Sequence, residues 1–396
     1  VFSNRTPGDL GTNRLAHAVA ARLSEGLPLL DLTESNPTRA GFQYPPDLLA
    51  PLGSERGLAY RPTPFGLADA RAAVAADYAR RGVDVAIDRI VLTASTSDAY
   101  SLLFKLLCDP GDEVLVPRPS YPLFDHLTRL DAVAARPYDL EYHGAWSIEF
   151  GSLERALTLR TRAVLIVSPN NPTGSFVSQA ELDRLAGICA SRGIAIIADE
   201  VFADYELVAG ASSAAARVLD RRDVLAFSFG GLSKSAGLPQ VKLGWIAAAG
   251  PAAAVEEALA RLELVCDTYL SVATPVQIAA AELIERGADV RAQIQARVAA
   301  NYRELLVQAT AAPACRVLRA DGGWYAVLHV PTLASEEELV VSLVEGEGLL
   351  AHPGYFFDFP RESYLVVSLL VPEAAFTDAA SRLFRHFDCT EAVHDR

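Results

Sequence analysis

The sequence predicts an α/β fold, with a large domain built on a mainly parallel sheet sandwiched by helices and a smaller α+β domain. Three observations carry that prediction. Between about Ile90 and Ala248, short apolar runs alternate with amphipathic segments, as they do when parallel strands are joined by helices that cover both faces of a sheet. Farther along, helical stretches give way to two short strand-like runs, GGWYAVLHVP and ESYLVVSLLV. Finally, a chain of 396 residues, 51% hydrophobic and 21% charged, can bury one large core or two smaller ones.

A polar, Pro-rich lead containing LTESNPTRAGFQYPP comes first. The strands that follow are RIVLTAS, DEVLVP, RAVLIVSPN, IAIIADE, DVLAFSF and VKLGWIAAA, with SDAYSLLFKLL and QAELDRLAGICASRG as intervening helices. The alanine-rich AAAGPAAAVEEALARLELV reads as a helix with Pro251 near its first turn, where a missing N–H is tolerated. SEEELVVSLVEGEG has a helical pattern and separates the two late strands. The expected division is residues 1–45 as an arm belonging to the small domain, 46–285 as the large domain and 286–396 as the small C-terminal domain. No repeat or low-complexity linker interrupts it.

A net charge of −14 argues against nonspecific binding to nucleic acid or an anionic membrane, since polyanions are repelled. Small molecules are the expected partners. Cys108, Cys189, Cys266, Cys315 and Cys389 include no C-x-x-C pair, which suits free thiols in a reducing compartment. The first residues lack the apolar core of a signal peptide, and no apolar run is long enough to span a membrane, so the cytoplasm is the expected location. The seven histidines show no metal-ligand spacing, and no metal is expected. The absence of methionine has no explanation in the sequence.

The chemistry gathers where strands end. SFGGLSKSAGLPQVKLGW sets Lys234 among glycines and small hydroxyl residues just after a strand. A lysine facing a cavity loses water, its pKa falls and its amine becomes a nucleophile able to form a Schiff base. The plain alternative is a surface lysine on a Gly-rich loop. IAIIADE places Asp199 after a run apolar enough to be buried on both faces, where a carboxylate needs a cationic partner. Together the two suggest pyridoxal phosphate (PLP), whose electron-sink role requires a carboxylate opposite its ring nitrogen. VSPNNPTG follows another strand and ends in a turn that can fix an amide over a cofactor. TASTSDAY opens a helix, so the hydroxyls of Ser95, Thr96 and Ser97 and the backbone N–H groups can hold a phosphate there, or merely cap the helix.

In this order, YRPTPFGLADAR, TASTSDA, PRPSYP, SPNNPTG, DEVFADY, SKSAGLPQVKLGW and HPGYFFDF, the motifs cover most of the chain. The sequence resembles the class I/II aminotransferases of the aspartate aminotransferase fold, PLP fold type I. The resemblance implies that Lys234 carries the cofactor and then shuttles a proton between the substrate α-carbon and the cofactor. It implies that Asp199 pairs with the pyridine nitrogen, that Asn171 bonds the phenolic oxygen and that Tyr121 stacks on the ring. It places Ser95, Thr96 and Ser97, aided by Ser233 or Lys242, on the phosphate. Tyr60 matches a tyrosine that reaches the phosphate of a neighbouring subunit, so a homodimer with shared active sites is expected.

Three departures stand out. Phe202 occupies the position of a tyrosine that usually bonds the phenolic oxygen, and Tyr205 is the candidate to compensate. Gly231 replaces a serine, and Lys242 replaces an arginine on the phosphate, keeping the charge and losing the two-pronged fork. Val366 stands where an arginine normally grips the substrate α-carboxylate.

The function expected is therefore a PLP-dependent aminotransferase working by a ping-pong mechanism, moving an amino group from a donor to a 2-oxo acid, with an atypical carboxylate site. Arg39, Arg118 and Arg361 are the candidates to hold a displaced carboxylate. Asn36, Trp324 and Tyr355 join Arg39 and Arg361 as candidate substrate residues, and the aromatic residues Phe42, Tyr44, Phe356, Phe357 and Phe359 make a hydrophobic or aromatic donor plausible. The alternatives are a PLP-dependent lyase, an aminotransferase for substrates without a conventional α-carboxylate, and a non-catalytic PLP-binding or regulatory protein.

Overall fold

The computed structural model describes residues 1–8, 11–331 and 334–394. Its large sheet has eight strands, in the spatial order Ile90–Thr93, Gly244–Ala249, Ala226–Gly231, Ala195–Asp199, Thr161–Val167, Glu113–Arg118, Ala134–Tyr142 and Trp146–Ile148. The five strands from Ala226–Gly231 to Ala134–Tyr142 pair in parallel. Gly244–Ala249 runs against both of its neighbours, and Trp146–Ile148 runs against the strand it edges.

The apolar runs are buried on both faces, as their composition requires. Every residue of Ala195–Asp199 and Ala226–Gly231 is buried. Successive side chains enter opposite cores: Ile196 and Ala198 join one hydrophobic cluster, Ala195 and Ile197 the other. Burial of Ile196 and of Ile197 stabilises the fold by about 1.5–3 kcal/mol each. Pro251 is the N-cap residue of the Ala252–Tyr269 helix, next to the first turn, as its place in the sequence predicts.

The strand Ala134–Tyr142 was not expected from the sequence. It carries Pro137 and alternates irregularly between exposed and buried positions. Proline is tolerated there because Trp146–Ile148 pairs only with Leu140–Tyr142, leaving the Pro137 half of the strand with one open edge.

The second sheet has four antiparallel strands, in the order Arg316–Val317, Tyr325–His329, Tyr364–Ser368 and His352–Pro353. The N-terminal segment is tied to this C-terminal part. Leu30–Asp31 pairs in parallel with Leu349–Leu350, and the Ser368 N–H donates to the Leu32 carbonyl at 2.7 Å.

A second tie joins the two sheets. The N–H groups of Asp321 and Gly322 donate to the Gly174 carbonyl at 3.0 and 2.9 Å, and the Gly323 N–H donates to the Tyr205 carbonyl at 2.8 Å. Gly174 has φ +71°, and a Cβ there would lie 2.6 Å from the Gly322 carbonyl oxygen. Only glycine permits this approach of the NNPTG turn to the segment leading into Trp324. Among the described residues no single helix is long and apolar enough to cross a membrane.

Candidate active site

Parallel strands deliver the candidate residues to one edge of the sheet, where ligands of such sheets bind. Val167 and Phe229 flank Asp199 in register on the two neighbouring strands. Asn171 lies just beyond Val167, and Lys234 just beyond Gly231, on the single helical turn Leu232–Ser235. Tyr121 follows the next strand, and the Ser120 N–H donates to the Phe357 carbonyl at 3.0 Å. That bond brings the PRPSYP loop against the HPGYFFDF turn.

Asp199 is buried, and its carboxylate is held from two sides. The Tyr100 hydroxyl donates to Oδ2 at 2.7 Å and the Val201 N–H donates to Oδ1 at 3.2 Å. Burial pushes the Asp199 carboxyl above the usual range, opposed by these bonds and by the charge of Lys234. Tyr100 was missed by the sequence reading. It is the last residue of TASTSDAY, four positions after Thr96 and so one turn into the helix.

Loss of water pulls the Lys234 ammonium down from 10.5 to about 8, with Asp199 opposing the shift. Its Nζ lies 4.9 Å from the ring centroid of Trp324 and 5.5 Å from that of Phe202. Phe202, Tyr205 and Trp324 form one wall, with Trp324 edge-on to both of the others at 5.2 Å. The Tyr205 hydroxyl donates to the backbone carbonyl of Lys234. It is therefore spent on holding the lysine's turn, and the compensation expected of it for Phe202 is not what its own hydrogen bond provides.

The helix Thr96–Leu107 begins beside this group. Ser95 caps it, accepting from the Asp98 N–H at 3.1 Å, and its hydroxyl proton stays available to an acceptor beyond the helix end. Thr96 and Ser97 occupy the first turn. Ser233 precedes Lys234, and Lys242 is exposed with a left-handed backbone, φ 59°. Tyr60 is 72% exposed and points away from the chain's own core.

Asn171 decides whether the residues fit PLP. Its buried Oδ1 has no hydrogen-bond partner. An orphaned buried amide costs about 1–3 kcal/mol, so such a group is kept where a ligand satisfies it. An amide can turn either end to a phenolic oxygen or its neighbours. With a lysine of lowered pKa, a buried carboxylate and a helix N-terminus at the same sheet edge, the residues present fit the cofactor.

The family model for aminotransferase class I and II matches residues 22–383. The chain belongs to the class I and II aminotransferases. It is similar to tyrosine aminotransferase of Homo sapiens, 26% identical over 357 residues covering 85% of this chain and 75% of that protein. It is 27% identical to an alanine aminotransferase of Mycobacterium tuberculosis, covering 88% of this chain and 83% of that protein. An alanine aminotransferase structure from Pyrococcus furiosus superposes with a TM-score of 0.88 at 22% identity, covering 98% of this chain and all of that one. A Thermus thermophilus aspartate aminotransferase mutant gives 0.82 at 21% identity, covering 97% of this chain and 99% of that one. These likenesses show PLP fold type I, and the aminotransferase is PLP-dependent.

Val366 is fully buried, opposite Val327 and His352 in the small sheet. Burial pushes the His352 imidazole down to about 4, so it is neutral near pH 7, and it stacks on Phe356 at 5.1 Å. Arg118 places Nε and Nη2 on Asp139 Oδ1 at 2.9 and 2.6 Å. Arg39 is exposed and faces Glu34 at 3.5 Å. Arg361 and Tyr355 are exposed, and Asn36 folds its Oδ1 onto the N–H and hydroxyl of Thr38. Of the candidate substrate residues, Trp324 lies beside Lys234, its ring centroid 4.9 Å from Nζ.

Proposed function

We propose that this aminotransferase works by a ping-pong mechanism in which Lys234 is the catalytic base and Asp199 the partner of the cofactor's ring nitrogen. The observation that carries the reading is the Lys234 amine, whose pKa falls to about 8 in a part-buried site walled by aromatic rings. When bound, PLP supplies the electron sink for the charge left at the donor's α-carbon. Lys234 Nζ takes the proton from that carbon, a transfer worth about 10²–10⁴-fold in rate. Tyr100 orients the Asp199 carboxylate, and Asp199 keeps the ring nitrogen protonated. Asn171 bonds the phenolic oxygen, Tyr121 stacks on the ring, and Ser95, Thr96, Ser97, Ser233 and Lys242 hold the phosphate.

The donor proposed is a hydrophobic or aromatic amino acid and the acceptor a 2-oxo acid. The aromatic wall of Phe202, Tyr205 and Trp324 supports this, as do the relatives that bear the names tyrosine and alanine aminotransferase. The α-carboxylate is held by groups other than residue 366. The exposed Tyr60 supports a homodimer in which each subunit completes the other's phosphate site. A cytoplasmic location, and the division at residues 45 and 285, belong to the same proposal, the latter supported by the pairing of Leu30–Asp31 with the C-terminal part. Replacement of Lys234 by alanine tests the mechanism: turnover should vanish while the fold is kept, and an active variant would remove the proposal.

A further inference from the structure

Phe202 carries no hydroxyl at the position where the family resemblance implies a donor to the cofactor's phenolic oxygen, and Tyr205 has committed its own to the Lys234 carbonyl. One donor in the same wall is unspent. Trp324 is fully buried, and its Nε1–H has no hydrogen-bond partner. An indole N–H buried without an acceptor forfeits a bond that such groups almost always make; the N–H groups of Trp146 and Trp245 are orphaned too, and what singles out Trp324 is its ring 4.9 Å from Lys234 Nζ.

The location of Trp324 narrows what that acceptor is. Its ring touches Phe202 edge-on at 5.2 Å and lies 4.9 Å from Lys234 Nζ, the atom that carries the cofactor under the function proposed above. The backbone holds it there. Asp321 and Gly322 are bonded to Gly174, Gly323 to Tyr205, and the Trp324 carbonyl accepts from the Leu369 N–H at 2.7 Å. Gly174 in turn ends the turn that begins at Asn171, whose buried Oδ1 is also without a partner. Two unspent hydrogen-bonding groups thus lie on connected segments around one lysine.

We infer that Trp324 Nε1–H donates to the cofactor's phenolic oxygen in place of the hydroxyl missing at Phe202. The inference rests on the PLP reading of Lys234. A donor at that oxygen favours its ionised form, so it lowers the pH at which the lysine-bound cofactor loses its proton. Trp324 is here a binding and tuning residue, and its effect is spectroscopic before it is kinetic.

The test is a pH titration of the visible absorbance of the PLP-loaded enzyme without substrate. Borohydride trapping on Lys234 in the wild type comes first, and absence of an adduct would defeat the PLP reading before the indole is tested. Given the adduct, Trp324→Phe should raise the chromophore pKa by about one unit, and adding Phe202→Tyr to that variant should bring it back down. An unchanged pKa with a raised KM for the amino donor would overturn the inference, assigning the indole to substrate instead. An unchanged pKa and unchanged KM would overturn it too. Should Trp324→Phe fail to fold, Phe202→Tyr alone decides: a shift under about half a unit agrees with a donor already in place, and any larger fall contradicts it.

Discussion

The Tyr100 hydroxyl donates to Asp199 Oδ2 at 2.7 Å, linking the helix Thr96–Leu107 to the carboxylate proposed to pair with the ring nitrogen. Both groups are buried, and the bond keeps Asp199 from carrying its charge unsupported. The cost of that burial is visible in the raised carboxyl pKa.

A raised folded-state pKa means that the folded protein binds the Asp199 proton more tightly than the unfolded chain, so ionisation destabilises the fold as pH rises above the unfolded value near 3.8. Asp199→Asn removes this charge and keeps an acceptor for Tyr100. The cofactor-free variant should melt about 2–4 °C higher than wild type at pH 7, with the difference shrinking toward pH 3. The loaded variant should lose about 10²-fold in kcat. Calorimetry across pH and steady-state rates check the two halves; a lower melting temperature at pH 7 would contradict the assignment.

Lys234 has the opposite sign. Its lowered pKa, about 8, places the neutral nucleophilic amine within reach of ordinary pH. The rate of PLP loading onto the cofactor-free protein should climb from pH 6.5 and level off about one unit above pH 8. Stopped-flow absorbance follows it directly. A rate still climbing through pH 10 would show an ordinary solvated lysine.

Gly174 makes a structural prediction. Gly174→Ala imposes a side chain on a φ of +71° and sets its Cβ 2.6 Å from the Gly322 oxygen. The expected cost is about 1–3 kcal/mol, together with weaker PLP binding, because the displaced segment carries Trp324. Denaturant unfolding and a cofactor titration on the same samples measure both. Loss of stability with unchanged cofactor affinity would separate Gly174 from the site.

Val366→Arg asks whether the family's carboxylate grip can simply be put back. Val366 is enclosed by Val327 and His352, and burying an unpaired guanidinium there should destabilise the protein by about 3–5 kcal/mol. No gain in kcat/KM for simple amino acids is expected. A rise of tenfold or more would show that the usual geometry persists around an absent arginine, against an atypical site.

Much of the site was legible because its chemistry sits at strand ends. Asp199 and Lys234 each close or follow a run whose apolar composition announces a buried parallel strand, and the Asn171 turn is punctuated by proline and glycine. The rest depends on contacts between distant segments. Nothing in RADGGWYAV tells that Trp324 meets Phe202, or that Gly322 closes on Gly174, because those partners are set by the docking of the small sheet on the large one. Tyr100 was hidden for a different reason: a tyrosine on an amphipathic helix looks like core, and its polar tip is revealed only by Asp199. The Ala134–Tyr142 strand escaped because its burial pattern is irregular and Pro137 reads as a breaker, although an open edge makes it harmless.

The most direct measurement is borohydride reduction of the PLP-loaded protein followed by peptide mapping, with and without an amino donor. A single adduct on Lys234 is expected, and it should disappear when a hydrophobic or aromatic amino acid is added before reduction. An adduct at another lysine, or none, would contradict the central claim.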